Sequence, residues 1–146
     1  MITCRNCKGD YVLQENKCIS QCDDGYYEEN KKCKKCMDNC YKCTESKTCK
    51  ECISPFVVHN EQCIGICPPG YYKGDKKCHN CIEGCEVCDN GEVCRVCKDG
   101  YLLENGECVK VCSSNYYKFS EKECRKCDEN CLQCDGPKQC KLCEDP

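Results

Sequence analysis

The apolar residues of this chain fall in short clusters that recur at a fixed interval. Tyr11-Val12-Leu13, Phe56-Val57-Val58 and Tyr101-Leu102-Leu103 each set an aromatic before two β-formers. Polar turns follow them: Gln14-Glu15-Asn16, His59-Asn60-Glu61 and Glu104-Asn105-Gly106. Strand followed by tight turn predicts a β-hairpin, and Asn105-Gly106 is a favoured pair for a two-residue turn. A second cluster is a tyrosine pair, in Asp24-Gly25-Tyr26-Tyr27, Pro69-Gly70-Tyr71-Tyr72 and Ser114-Asn115-Tyr116-Tyr117, each running into a charged turn. Gly25, Gly70 and Asn115 tolerate positive φ, so a left-handed kink is expected before each pair. Two hairpins per repeat follow from these clusters. The remaining stretch, such as Cys36 to Cys49, keeps no sustained period and reads as tight loops. No segment holds a helical period over the ten or so residues that would define a helix.

Cysteine sets the interval. From Cys33 to Lys77 eight cysteines are spaced C-x2-C-x3-C-x2-C-x5-C-x2-C-x10-C-x3-C, with x10 to the next. The ladder starts again at Cys78 and at Cys124, giving a period of 45 to 46 residues, in the range of tandem-repeat architectures. Numbering the cysteines of a repeat first to eighth, residues 1–32 are a partial repeat (fifth to eighth), 33–77 and 78–123 are complete, and 124–146 are partial (first to sixth). The one spacing change is an extra residue between Cys112 and Cys124. Both ends fall within a repeat, so this stretch is expected to be a window on a longer array.

Composition explains why cysteine dominates. The chain has 26 cysteines in 146 residues, no Trp and two Phe, and the 40% hydrophobic fraction counts Cys. Too few aliphatic and aromatic side chains remain for a shared core, so disulfides are expected to replace it. Such density cannot persist reduced in a cytosol, which implies an oxidising compartment and an extracellular or cell-surface location. The 22 basic and 25 acidic residues, net charge -3, are interspersed. No single-sign field results, and nucleic acid is not an expected partner. No window of about 18 apolar residues marks a membrane span. Met1-Ile2-Thr3 does not lead into the apolar segment of a signal peptide, so the export signal and any anchor are expected outside these residues or removed.

Candidate reactive sites are few. Ten CxxC pairs suggest zinc, but zinc ribbons separate two such pairs by about 12 to 20 residues. Here neighbouring pairs stand three residues apart (Cys36 to Cys40) or five (Cys43 to Cys49), and the Cys-x3-Cys pairs at 18, 22, 63, 67, 108 and 112 would lack partners. A redox CxxC needs a βαβ scaffold, and none is evident. His59 and His79 occupy non-equivalent repeat positions and read as surface residues. Carboxylates crowd the turns at Asp23-Asp24, Glu28-Glu29 and Glu144-Asp145 without an EF-hand pattern; calcium binding by them stays open. Lys31-Lys32-Cys33-Lys34-Lys35, flanked by Glu28, Glu29 and Asp38, reads as a solvated turn rather than a polyanion site. The tyrosine pairs could be binding hot spots, but at least one ring of each is expected over its disulfides, since nothing else is available to cover the sulfurs. No nucleophile–base pair, paired catalytic carboxylates or open metal position can be assembled, so the expectation is a non-enzyme without a cofactor.

The string Asn60-Glu61-Gln62-Cys63-Ile64-Gly65-Ile66-Cys67-Pro68-Pro69-Gly70-Tyr71, with Asn16-Lys17-Cys18-Ile19-Ser20-Gln21-Cys22 as a weaker copy, resembles the furin-like cysteine-rich repeats of growth-factor receptors. Similar CxxC-rich arrays occur in protist surface proteins. Spacing alone leaves the connectivity open, because even four cysteines allow three pairings. The resemblance implies a small disulfide-rich fold, an elongated rod of tandem modules with short β-hairpins and little helix. It also implies one-disulfide hairpins Cys7–Cys18, Cys52–Cys63, Cys97–Cys108, Cys22–Cys33, Cys67–Cys78 and Cys112–Cys124. Between them it implies two-disulfide modules: Cys36–Cys43 with Cys40–Cys49, Cys81–Cys88 with Cys85–Cys94, and Cys127–Cys134 with Cys131–Cys140. Cys4 and Cys143 are left unpaired in this window, their partners expected in neighbouring repeats. The functional expectation is a structural spacer, coat or filament segment of a longer secreted or cell-surface protein, whose partners are further copies of the same repeat and which can self-associate. The alternative is a receptor or adhesion ectodomain that positions a separate ligand-binding domain.

Overall fold

The computed structural model describes residues 4–144; Met1 to Thr3, and Asp145 of the Glu144-Asp145 pair, lie outside the described residues. Among the described residues there are β-hairpins and no helix. In chain order the strands are β1 (Val12–Gln14), β2 (Lys17–Ile19), β3 (Tyr26–Glu29), β4 (Lys32–Lys35), β5 (Cys40–Glu45) and β6 (Thr48–Cys52). The next set is β7 (Val57–His59), β8 (Gln62–Ile64), β9 (Tyr71–Lys73), β10 (Cys78–Asn80), β11 (Cys85–Cys88) and β12 (Cys94–Cys97). The last is β13 (Leu102–Glu104), β14 (Glu107–Val109), β15 (Tyr116–Lys118), β16 (Cys124–Lys126), β17 (Cys131–Cys134) and β18 (Cys140–Cys143).

Local sequence accounts for the first hairpin type, β1–β2, β7–β8 and β13–β14. In each, a two-residue turn has both φ angles positive: Glu15 and Asn16 (45° and 68°), Asn60 and Glu61 (47° and 62°), Asn105 and Gly106 (48° and 84°). These are the mirror-image turns whose twist matches that of the flanking strands. The tyrosine pairs open the second type, β3–β4, β9–β10 and β15–β16. Gly25 and Gly70 precede their pairs with φ of 83° and 85°, as expected. Asn115 does not take a positive φ, which corrects the expectation for the third repeat. Gly25 and Gly70 use the kink to donate their N–H to Tyr41 and Glu86 carbonyls, both at 2.7 Å. Asn115 keeps only the other half of the arrangement: its carbonyl accepts from Cys127 at 2.8 Å, as those of Gly25 and Gly70 accept from Cys36 and Cys81. The kink of Gly25 and Gly70 needs φ of 83–85°, whereas no residue with a side chain among those with positive φ exceeds 68°, so Asn115 gives up what glycine adopts freely.

The stretch expected to be loops is a third hairpin type, β5–β6, β11–β12 and β17–β18. Its ladders are bulged: Cys85 faces Cys97, Val87 faces Val96 and Cys88 faces Cys94, with register shifts between successive pairs. In a regular strand, residues three apart point to opposite faces. A bulge turns both cysteines of a CxxC inward, which is why Cys85 and Cys88 are buried while Glu86 and Val87 are exposed.

The described chain divides into two compact units. One comprises the residues up to Cys67 together with Lys73–Cys78, the other Pro68–Tyr72 together with those from His79 onward. In the first, β1–β2 and β3–β4 merge into a four-stranded sheet of order β2-β1-β4-β3, joined by a parallel bridge from Leu13 to Lys32. The same bridge recurs between Val58 and Lys77, and in the second unit between Leu103 and Glu123. Its hydrogen bonds are Leu13 N–H to Lys31 O, Val58 N–H to Lys76 O and Leu103 N–H to Lys122 O, at 2.8–2.9 Å. Each aromatic-led hairpin is thus fastened to the tyrosine-pair hairpin that follows it.

Candidate functional site

The feature with a chemistry of its own is the cystine framework, which is also the core. In the first unit Tyr27, Cys36, Cys40 and Cys49 are buried together, with Met37, Cys43, Cys52 and Cys63 packed against them. The second unit has two such clusters. One is Cys85, Cys88, Cys94 and Cys97 with Tyr72, Tyr101, Leu103 and Cys108 among its neighbours; the other is Cys127, Cys131 and Cys134 under Tyr117. The second tyrosine of each pair therefore lies on the sulfurs. Tyr72 also stacks on His79, with ring centroids 5.5 Å apart. These rings cover part of the buried cystine clusters.

Twelve disulfides join the described cysteines. The hairpin bonds are Cys7–Cys18, Cys22–Cys33, Cys52–Cys63, Cys67–Cys78, Cys97–Cys108 and Cys112–Cys124. Those within the bulged hairpins are Cys36–Cys43, Cys40–Cys49, Cys81–Cys88, Cys85–Cys94, Cys127–Cys134 and Cys131–Cys140. These are the pairs that the furin-like resemblance implies. Cys4 and Cys143 carry free thiols.

Several sulfur groups sit close enough to suggest a metal: Cys4, Cys7 and Cys18; Cys40, Cys49 and Cys63; Cys85, Cys94 and Cys108. Metal ligation needs thiolates, and of these nine only Cys4 is a thiol. The groups arise because the fifth cysteine of a repeat packs on the seventh. Cys49 Sγ lies 3.2 Å from Cys63 Sγ, and Cys4 Sγ lies 3.4 Å from Cys18 Sγ. Sequence spacing carries no signal for this contact, since the fifth and seventh cysteines belong to different disulfides.

The polar surface is occupied by local pairs. Tyr26 donates its hydroxyl to Glu15 at 2.9 Å and Tyr41 donates to Asp24 at 2.5 Å. Both phenols are held above their ordinary value of 10.0, chiefly by those hydrogen bonds and then by the carboxylate charges. In the lysine run, Lys34 pairs with Glu29, which raises the Lys34 pKa, and Lys31 donates to the Gly9 carbonyl at 2.7 Å. Lys122, at the position matching Lys31, reaches Asp99 at 2.5 Å, and Lys73 donates to Pro55 O at 2.6 Å. His79 is exposed and His59 half-buried, on separate hairpins. Among the aromatics that lead the first hairpin type, Tyr101 packs on the sulfurs while Tyr11 is exposed.

One shallow cavity, roughly 530 Å³, is lined by Asn115, Asp128, Glu129, Asn130, Leu132 and Glu144 among others. It opens where Asn115 lacks the kink that ties Gly25 and Gly70 to the bulged hairpin beside them. Among the described residues no helix is long and apolar enough to cross a membrane.

No family model matches the chain. A 40-residue stretch is 38% identical to mouse "Extracellular matrix organizing protein FRAS1", covering 27% of this chain and 1% of that protein. The match and the disulfide-rich structure are consistent with a furin-like cysteine-rich repeat, and together they suggest an extracellular location.

Proposed function

We propose that this chain is a structural segment of a longer secreted or cell-surface protein, serving as a spacer, coat or filament component. The observation that carries the reading is the backbone bridge repeated at Leu13–Lys32, Val58–Lys77 and Leu103–Glu123. Successive hairpins are tied in the same way each time, so a change of length costs no new design, which is the logic of repeat proteins. The similarity to a protein named for organising extracellular matrix supports the same reading. Its partners are further copies of the repeat, and the assembly is a filament or a surface layer.

Catalysis is not part of this function. All but two of the thiols are consumed in cystines, the histidines are on separate hairpins, and the carboxylates sit in exposed ion pairs and turns apart from Glu104, which is buried and held by Ser113.

Electron microscopy of the native material tests the proposal. Filaments or a regular layer labelled by an antibody to this segment are expected. Dispersed single molecules at the concentration found on the source would overturn the assembly role.

A further inference from the structure

Two different disulfides meet sulfur to sulfur at the same place in both complete repeats. In the first unit Cys49 Sγ of the Cys40–Cys49 bond lies 3.2 Å from Cys63 Sγ of the Cys52–Cys63 bond. The sulfurs of Cys40, Cys49 and Cys63 all lie within 4.8 Å of one another, and those of Cys85, Cys94 and Cys108 do the same in the second unit. A backbone hydrogen bond fixes each contact. Cys49 N–H donates to Glu61 O and Cys94 N–H to Gly106 O, both at 2.7 Å, which sets the fifth cysteine of a repeat against the hairpin that carries the seventh. Burial distinguishes the two bonds that meet. Cys40, Cys49, Cys85 and Cys94 are buried, whereas Cys52, Cys63 and Cys108 are half-buried, so a reductant in solution reaches the hairpin bond first.

From this arrangement we propose that the hairpin disulfide is the redox port of the repeat, and that its reduction is passed to the buried disulfide by internal exchange. A dithiol, or two equivalents of a small thiol, reduces Cys52–Cys63 and is itself oxidised to a disulfide, leaving Cys52 and Cys63 as thiols. Cys63 then loses its proton to solvent, and its thiolate attacks Cys49 Sγ. The Cys49–Cys63 bond forms, the Cys40–Cys49 bond breaks, and Cys40 leaves as a thiolate that takes up a proton. Two thiols and one disulfide are present before and after this second step, so it consumes no further reductant. Because the thiolate is the attacking species, the exchange runs in alkaline solution and stops in acid. In the second unit the same step passes from Cys108 to Cys94 and frees Cys85.

The consequence is a second covalent framework. Cys40–Cys49 staples β5 to β6 within one hairpin, while Cys49–Cys63 would staple β6 to β8 of the next. The repeat answers a mild reductant by retying two hairpins rather than by opening.

The test uses the intact chain carrying Cys4→Ser and Cys143→Ser, so that no other thiol starts the exchange. A phosphine in acid opens accessible disulfides while exchange is frozen, and the species reduced at Cys52–Cys63 alone is isolated by chromatography in acid. One half is cyanylated at once in acidic denaturant. The other is first held at pH 8 without oxygen. Mass spectrometry then locates the labels. The first half should carry label on Cys52 and Cys63. In the second, label lost from Cys63 should equal label gained on Cys40, with Cys52 unchanged and the transferred fraction independent of protein concentration. Cys52→Ser, which leaves Cys63 a thiol with no reductant added, should divide its label between Cys63 and Cys40. Label confined to Cys63 in that variant, or to Cys52 and Cys63 after the incubation, overturns the proposal. So does first opening of Cys40–Cys49 in acid, or transfer that rises with protein concentration, which would place the exchange between chains.

Discussion

Glu104 receives two hydrogen bonds from Ser113, one from the backbone N–H at 2.8 Å and one from the hydroxyl at 2.5 Å. Two repeats earlier, Gln14 does the same work in amide form: it accepts from the Asp23 N–H at 3.0 Å and donates to the Asp23 carboxylate at 2.8 Å. Gln14 and Glu104 are the buried polar side chains of the described chain, each 8% exposed. They clamp the end of the first hairpin to the residue after the eighth cysteine. The middle repeat has His59 and Pro68 at these positions, and Pro68 has no N–H to offer. Glu104→Ala removes two hydrogen bonds to a buried carboxylate while the exposed Ser113 turns to water, and should lower stability by about 1–3 kcal/mol. Glu104→Gln should lose less, because Gln14 shows that an amide fits. Thermal unfolding with the disulfides intact measures both; equal losses would discount the clamp.

Gly84 is replaced by Asn at the matching positions of the other repeats, Asn39 and Asn130, and all three have positive φ (75°, 62° and 60°). Backbone preference alone would allow Gly84→Asn. The tertiary contact forbids it: a Cβ on Gly84 would stand 2.7 Å from Tyr101 Cδ1 and 3.1 Å from Cys108 Cβ. We expect Gly84→Asn to destabilise by about 1–3 kcal/mol through overpacking. Shrinking the ring as well, in Gly84→Asn with Tyr101→Leu, should recover part of the loss. Additive effects of the two changes would show that they do not meet.

The phenols of Tyr26 and Tyr41 should ionise above 10.0, because each donates to a carboxylate that the phenolate would repel. A raised folded-state value means that these bonds stabilise fully below the unfolded pKa and are lost as pH rises through the folded one. The window is therefore alkaline. Glu15→Gln removes the charge beside Tyr26 and should bring its ionisation down toward 10.0, as followed by tyrosinate absorbance. An unchanged titration in this variant would show that Tyr26 does not engage Glu15 in solution.

Asp99 behaves in the opposite sense. The Lys122 hydrogen bond and charge hold its carboxyl below 3.8, so the contact stabilises above the unfolded value and is lost as pH falls through the folded one. A proton titration of Asp99 by NMR should move up in Lys122→Ala, and an unmoved Asp99 would count against the pair.

Removing one disulfide tests the framework directly. Cys40→Ser with Cys49→Ser opens a loop of separation 9, and the chain-entropy estimate is about 2.5–3 kcal/mol. Cys49 is 1% exposed, so the introduced hydroxyls add to the loss. Full reduction should abolish the near-ultraviolet tyrosine signal and the resistance to protease. A reduced chain that kept both would refute the cystine core.

Much of this arrangement was legible because the signals were local. The pairs Glu15-Asn16, Asn60-Glu61 and Asn105-Gly106 mark hairpins by turn chemistry that depends on two residues alone. The role of Tyr27, Tyr72 and Tyr117 followed from scarcity: with no Trp and two Phe, tyrosine was what remained to cover the sulfurs. Which tyrosine of each pair turned inward was not legible, since adjacent strand residues face opposite sides and either registration satisfies the pattern.

What the amino-acid sequence determines by itself is the repeat, its hairpin turns and, through the resemblance, the cystine pairing. Each depends on neighbours within about a dozen residues. Tertiary structure decided the rest. The third hairpin hides from a period-two search because bulges at Cys40, Cys85 and Cys131 bring cysteines three apart onto one face. The kink is lost at Asn115, and Gly84 is constrained by a ring seventeen residues away in sequence. The contact of Cys4 with Cys18 joins sulfurs that no pairing scheme links. Each of these depends on which atoms share a space once the chain has closed on itself, and spacing along the chain does not encode that.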